Sequence, residues 1–253
     1  MLKNPRNYFF IGLLITIYIW AWQSLKVDLT SLSSSGQYLG VFLGDFFPPN
    51  WQVLPQAMEA LLETIQMSVI GTTMGAILSL PIAILSAHNL SPVGLRSFGN
   101  LLQNTLRSIP SIILALIFVS VIGLGSTAGT FALGIYSIGY LAKFYQEAIE
   151  SVDANSLQAL QVTGASWLQI AQYGILPQIL PLSLGYTLYM FEYNIRAASI
   201  LGVVGAGGIG FELVNYINGF ERTKATTFIL VMLVVVTVID LGSSKLRQKL
   251  TEL

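Results

Sequence analysis

Residues 202–210 read GVVGAGGIG, and within them Gly205-Ala206-Gly207-Gly208-Ile209-Gly210 spells G-x-G-x-x-G. Two folds compete for this stretch: a soluble α/β nucleotide domain, or an all-α membrane protein with a glycine-rich helix end. A dinucleotide site needs a strand before the glycines, a helix after them, and an acid about 20 residues on to hold the ribose. Counting on from Gly205 or Gly210 lands on Ala225 or Leu230, inside an apolar run, and Glu221 comes too early. The residues before the motif form an apolar segment of membrane-helix length. The fingerprint is therefore accidental. What glycines offer here is positive φ where a chain turns and close helix approach in lipid. Gly202, Gly205, Gly207, Gly208 and Gly210 are candidates for an outer gate or hinge at a dimer interface, with Phe211 to Ile217 dipping partly back into the membrane.

Composition points the same way. Of 253 residues, 54% are hydrophobic and 9% charged, and the mean hydropathy is +0.70. A soluble domain carries about 25% charged residues, so most of this surface must face lipid. A net charge of zero leaves no basic patch for nucleic acid. With no cysteine and a single histidine, His88, there is neither a thiolate nor a cluster for a metal or a His relay. Six membrane helices are expected, at about 8–25, 61–86, 109–125, 127–145, 178–200 and 226–243, as one domain over 1–253. Lys3 and Arg6 precede the first apolar run, which lacks a small-residue cleavage pattern and reads as a span. Lys3, Arg6, Arg96, Arg107, Lys143, Lys245, Arg247 and Lys249 fall on one side, against Lys26, Arg222 and Lys224 on the other. That bias puts both termini in the cytoplasm and 26–60 outside.

The largest cytoplasmic segment lies at 146–177, and its 156–177 portion reads SLQALQVTGASWLQIAQYGILP. Ser156 is a plausible N-cap, Gly164 can end that helix, and a second short helix from Ser166 presents Trp167, Ile170 and Ala171 before Pro177 stops it. Gln158-Ala159-Leu160, Gly164 and Leu176-Pro177 resemble the EAA loop of ABC-transporter permeases, with Gln158 in place of the usual Glu, Leu160 of an Ala, and Gly174 of an aliphatic residue. The stretches LRSIPSIILALIFV (106–119), GYLAKFYQEAIESVD (139–153), TGASWLQIAQYGILPQILP (163–181) and FEYNIRAASILGVVGAGGIG (191–210) extend the likeness. In order, they are similar to the permeases of phosphonate-type ABC importers.

That resemblance implies an all-α permease of the type I importer class, embedded in the inner (plasma) membrane, with a cytoplasmic coupling helix over about 153–177. Gln158, Ala159, Gly164, Leu176 and Pro177 would dock a separate ATPase, which binds ATP and Mg; this chain would hold no cofactor and catalyse nothing. The implied partners are two ATPase subunits, a soluble substrate-binding protein and a second copy of the chain. The cargo would be a phosphonate- or phosphite-like oxyanion. Another ABC importer, such as a methionine-type one, and a stand-alone secondary transporter are the alternatives.

Charges inside the apolar segments narrow the search for a pathway. Glu192 and Arg196 lie within the fifth expected span, where an ionisable residue costs about 2.5–3.5 kcal/mol on insertion scales. Four residues apart, they should meet on one helix face in a stripe with Gly185, Tyr189 and Ser199, while Asn194 points away. Tyr189, Glu192 and Arg196 are thus candidates for an anion pathway, against the plainer reading of an intrahelical or interhelical salt bridge that neutralises two buried charges. Arg107 reads as a cytoplasmic-end anchor ahead of Pro110. Glu147 and Glu150 read as a solvated face, and His88 as an interfacial residue without a ligand role. A membrane enzyme would need a nucleophile and base, a metal cluster or a carboxylate pair, and only Glu192 and Asp240 are candidate in-membrane acids.

Overall fold

The computed structural model describes residues 5–25, 36, 39–166 and 169–251. The described residues are helical throughout their regular structure, as expected. They divide into two units, Met1–Phe47 and Pro48–Leu253. The first holds helix α1 (Pro5–Ser24) and a further helical stretch at 39–44. Of the expected external segment 26–60, residues 26–35, 37 and 38 lie outside the described set, as do Lys3 and Trp167.

The second unit is a helical bundle: α2 (Leu54–Ser86), α3 (Val93–Ser108), α4 (Ser111–Ile122), α5 (Ser126–Glu150), α6 (Ala154–Val162), α7 (Leu176–Leu201), α8 (Gly208–Asn218) and α9 (Arg222–Thr251). One end of the bundle carries the glycine run and the turn at 123–125. The other carries residues 87–92, the 151–175 segment and the end of α9.

Several boundaries differ from the sequence-based expectation, each for a local reason. The second span begins at Leu54, seven residues early, because Asn50 caps a 3-10 turn over Trp51–Val53 that leads straight into it. Pro81 sits inside that helix, as expected. The third span is shortened to the 12 residues of α4, about 18 Å of rise. It is bent by 82° from α3, since Ile109 before Pro110 is held extended. Two helices among the described residues are long and apolar enough to cross a membrane, or up to four if each bent pair is one span. Helix α5, the fourth expected span, has the length (25 residues) without the hydropathy. Its glycines, serines and tyrosines face other helices rather than lipid, and most of it is buried.

The closest packing is between α2 and α5. Gly71-Thr-Thr-Met-Gly75 on α2 is a G-x-x-x-G element that lets two backbones approach. A Cβ on Gly71 would lie 3.0 Å from Cβ of Leu133, one on Gly75 would strike Ser137, and one on Gly134 would strike Met74. Helix α7 joins this pair through Asn194, which is fully buried and donates from Nδ2 to Thr72 Oγ1 and Ser137 Oγ, both at 2.8 Å.

Candidate functional site

The 153–177 segment is built from the loop end of the bundle outward. Helix α6 starts at Ala154, so Ser156 lies inside it rather than capping it; Asp153 Oδ1 instead accepts the Asn155 N–H at 3.1 Å. The helix ends at Gly164, which has φ +77°. Leu157 and Leu160 seat it on the bundle by packing over Gly174, where an added Cβ would lie 2.7 Å from Leu160 Cδ1. The glycine that breaks the aliphatic pattern of the loop is thus the floor on which α6 rests. With its apolar side turned inward, α6 leaves Gln158, Ala159 and Val162 exposed, along with Gly164 beyond it, and Val162 is 88% exposed.

The second short helix does not stop at Pro177. Ser166 and Gln169 form a reciprocal cap, Ser166 N–H donating to Gln169 Oε1 at 2.8 Å and Gln169 N–H to Ser166 Oγ at 3.4 Å. The chain then passes through a π turn, Ile170–Ile175, directly into α7. A wider turn ahead of Pro177 spares the clash of its ring with the preceding turn, and Gln178 Nε2 donates to Gly174 O at 2.7 Å. Leu176 and Pro177 therefore open α7 and fix its angle to α6.

The expected Glu192–Arg196 pair does not form. Both side chains point to α9: Arg196 Nη1 lies 2.7 Å from Asp240 Oδ1, and Arg247 Nη1 lies 3.0 Å from Glu192 Oε1. Glu192 is 5% exposed. A pair four residues apart on one helix gains only about 0.2–0.5 kcal/mol, and a partner on a packed neighbour with better geometry wins. Tyr189 lies beneath Arg247, whose guanidinium carbon is 5.9 Å from the ring centre. Together they border a cavity of about 420 Å³ completed by Phe144, Pro181, Leu182, Gly185 and Tyr186.

Arg107 is no end anchor. It packs at mid-length of α5, where a Cβ on Gly139 would lie 2.9 Å from its Cγ, and its guanidinium carbon sits 5.1 Å from the centre of the Tyr140 ring. Glu150 does more than face solvent. It accepts from His88 N–H at 2.9 Å, meets His88 Nδ1 at 3.0 Å and accepts from Gln146 Nε2 at 2.9 Å. Burial alone would raise its pKa, but these hydrogen bonds outweigh it and hold the carboxyl below its ordinary range. Gln146 in turn accepts from Gln103 on α3 at 2.6 Å, so the loop end is tied by a chain of polar side chains.

The glycine run is a packed turn. Residues 205–210 are buried, and Gly205, Gly207 and Gly208 have φ of 83°, 79° and 70°. Gly125 N–H donates to Gly205 O at 2.9 Å, Gly208 N–H to Glu63 Oε2 at 3.3 Å, and Ile209 N–H to Thr64 Oγ1 at 2.8 Å. A Cβ on Gly207 would lie 2.6 Å from Ser126 N, and one on Gly202 or Gly210 would collide with backbone. After it, α8 leaves at 42° to α7. What the sequence leaves unmarked is the pairing: Gly174 under α6, Glu63 against Gly208, and Asp240 and Arg247 of α9 against Arg196 and Glu192. Only the G-x-x-x-G at 71–75 was there to be read.

Residues 79–251 match the family of binding-protein-dependent transport system inner membrane components. The chain is 36% identical over 229 residues to the phosphite transport system permease protein PtxC of Stutzerimonas stutzeri, covering 90% of this chain and 83% of that one. It is 35% identical over 242 residues to the phosphate-import permease protein PhnE of Mycolicibacterium smegmatis, covering 94% of this chain and 45% of the other. Among solved structures, a chain of the MetNI methionine ABC transporter in an inward-facing conformation superposes with a TM-score of 0.71 at 20% identity, over 79% of this chain and 99% of that chain. The all-α type I importer fold is thereby shared at low identity. By the match over 79–251 and the likeness over nine-tenths of its length to a phosphite permease, this chain belongs to the binding-protein-dependent transport system inner membrane components.

Proposed function

We propose that the chain is the permease subunit of an ATP-driven importer for phosphite- or phosphonate-like oxyanions, working as a homodimer with two ATPase subunits and a soluble binding protein. The observation that carries this is the 36% identity to a phosphite permease over 90% of the chain. The exposed face of α6 supports the ATPase arm. A short helix seated on the bundle by Leu157 and Leu160, presenting Gln158, Ala159 and Val162 outward, fits a groove on a partner that pushes as it closes. Gln158 brings no carboxylate to that contact, so docking there rests on shape and apolar burial rather than an ion pair. In this reading the loop end and both termini face the cytoplasm, and Gly202, Gly205, Gly207, Gly208 and Gly210 hinge α7 to α8 at the outer mouth.

Proteoliposomes holding the chain with its co-expressed ATPase test the proposal, with the binding protein added outside. Uptake of phosphite or a simple phosphonate that requires both ATP and the binding protein is the expected result. Purification without an ATPase, methionine uptake in place of phosphorus oxyanions, or uptake driven by an ion gradient without ATP would overturn it.

A further inference from the structure

Two arginines lie on bundle helices, Arg107 on α3 and Arg196 on α7, and they differ in what neutralises them. Arg196 is bound to Asp240; a guanidinium so engaged has little left for a passing anion. Arg107 pairs with no carboxylate among the described residues. The residue is half-buried, and its Nε is shielded without a hydrogen-bond partner. An arginine at membrane depth that lacks an acid partner faces a cavity or meets an anion, because lipid offers it nothing.

Its surroundings are aromatic. Arg107 lies over Tyr140, whose ring centre is 4.7 Å from that of Tyr136. Tyr136 stacks on Tyr193 at 5.4 Å, and their hydroxyls are 2.9 Å apart. Tyr140 and Tyr193 are themselves only half-buried. Ring faces steady a guanidinium electrostatically without occupying its N–H donors. The planar fork of arginine matches two oxygens of a phosphorus oxyanion, and phenolic hydroxyls add neutral donors. Helix α4 begins at Ser111, four residues after Arg107, and the first turn of a helix adds partial positive charge.

We propose that Arg107, supported by Tyr140 and Tyr193, is the oxyanion contact at mid-depth of the transport path; this rests on the importer reading above. An arginine held by rings rather than by an acid meets the need of a conduit. It attracts the anion as it passes, and one guanidinium with two hydroxyls is too small a donor set to retain it.

The test uses the reconstituted complex with phosphite as the probe, measuring uptake and binding-protein-stimulated ATP hydrolysis side by side. Arg107→Gln is expected to lower phosphite uptake at least about tenfold, the usual scale for losing a charge-assisted hydrogen bond. Hydrolysis should stay within about twofold of the parent, since docking and coupling are untouched, and Arg107→Lys should fall between. Undiminished uptake by Arg107→Gln would overturn the proposal, and so would a loss of hydrolysis in step with uptake, the mark of a structural role. Should Arg107→Gln fail to assemble, the double variant Tyr140→Phe/Tyr193→Phe decides. A loss of uptake of about threefold or more with hydrolysis kept supports the contact, and unchanged uptake removes it. A parent complex that moves no phosphorus oxyanion would overturn the importer reading and this site with it. An active parent with unaffected variants would overturn the site alone.

Discussion

Replacing Arg247 with methionine strands Glu192, and the size of the loss tells which residue neutralises that acid. Glu192 is 5% exposed and Arg247 29% exposed, with 3.0 Å between Nη1 and Oε1. Removing one member of a buried pair costs about 3–5 kcal/mol. Two features move this case toward the low end. Arg247 keeps access to its surroundings, and Glu192 Oε1 accepts no aligned hydrogen bond, so the contact is coulombic. The expected cost of Arg247→Met is about 2–3 kcal/mol. Adding Glu192→Gln removes the stranded charge, and the double variant should return to within about 1 kcal/mol of the parent. The same cycle run on Glu192→Gln and Arg196→Gln should show coupling of no more than about 0.5 kcal/mol, because Arg196 is turned to Asp240. Equilibrium unfolding in mixed detergent micelles measures both cycles. Coupling to Arg247 below about 0.5 kcal/mol, or larger coupling to Arg196, would refute the cross-helix pairing.

Three further outcomes follow from named contacts. Gly207→Ala requires a side chain at φ +79° with its Cβ 2.6 Å from Ser126 N; it should cost at least about 2 kcal/mol, whereas Gly185→Ala, which meets open space, should cost nothing measurable in the same unfolding assay. Gly174→Val should lift α6 off its seat and lower ATP hydrolysis stimulated by the binding protein, leaving the unfolding midpoint nearly unchanged; full stimulation would count against Gly174 as the floor of the coupling helix. Glu150 has a depressed folded-state pKa, so its contribution is present above the unfolded value of about 4.3 and disappears as pH falls through the lower folded value. Stability profiles of the parent and Glu150→Gln should therefore draw together as pH falls below the unfolded value of about 4.3, and parallel profiles would contradict the clasp on His88.

The class of fold was legible because charge scarcity and apolar runs report directly on the solvent, and the family likeness because the residues of the 156–177 segment are contiguous. What stayed hidden depends on partners distant in sequence. Glu192 and Arg196 obey the i,i+4 rule, yet each found a better partner on α9, some 50 residues away, and no local pattern carries that choice. Arg107 looked like an end anchor because it precedes Pro110 at the start of an apolar run. The amphipathic α3 instead carries it to the level of Gly139. Helix α5, expected as the fourth span, turns its glycines and tyrosines to close packing against its neighbours. Gly202, Gly205, Gly207, Gly208 and Gly210 were singled out for conformational freedom; the positive φ at three of them is real, but the contacts around them bind the turn tightly.

The hydrogen bond from Gly125 to Gly205 has a mechanical meaning. It pins the start of α5 to the end of α7, so the two helices share a fulcrum at one end of the bundle. From that pin α5 runs 25 residues, about 37 Å, to the side of the molecule that carries α6. Each degree of tilt about the pin sweeps the far tip through about 0.6 Å at that length. If α6 docks an ATPase as proposed, work applied there acts on the long arm of a lever, and the glycine end can respond to a large displacement with a small rotation.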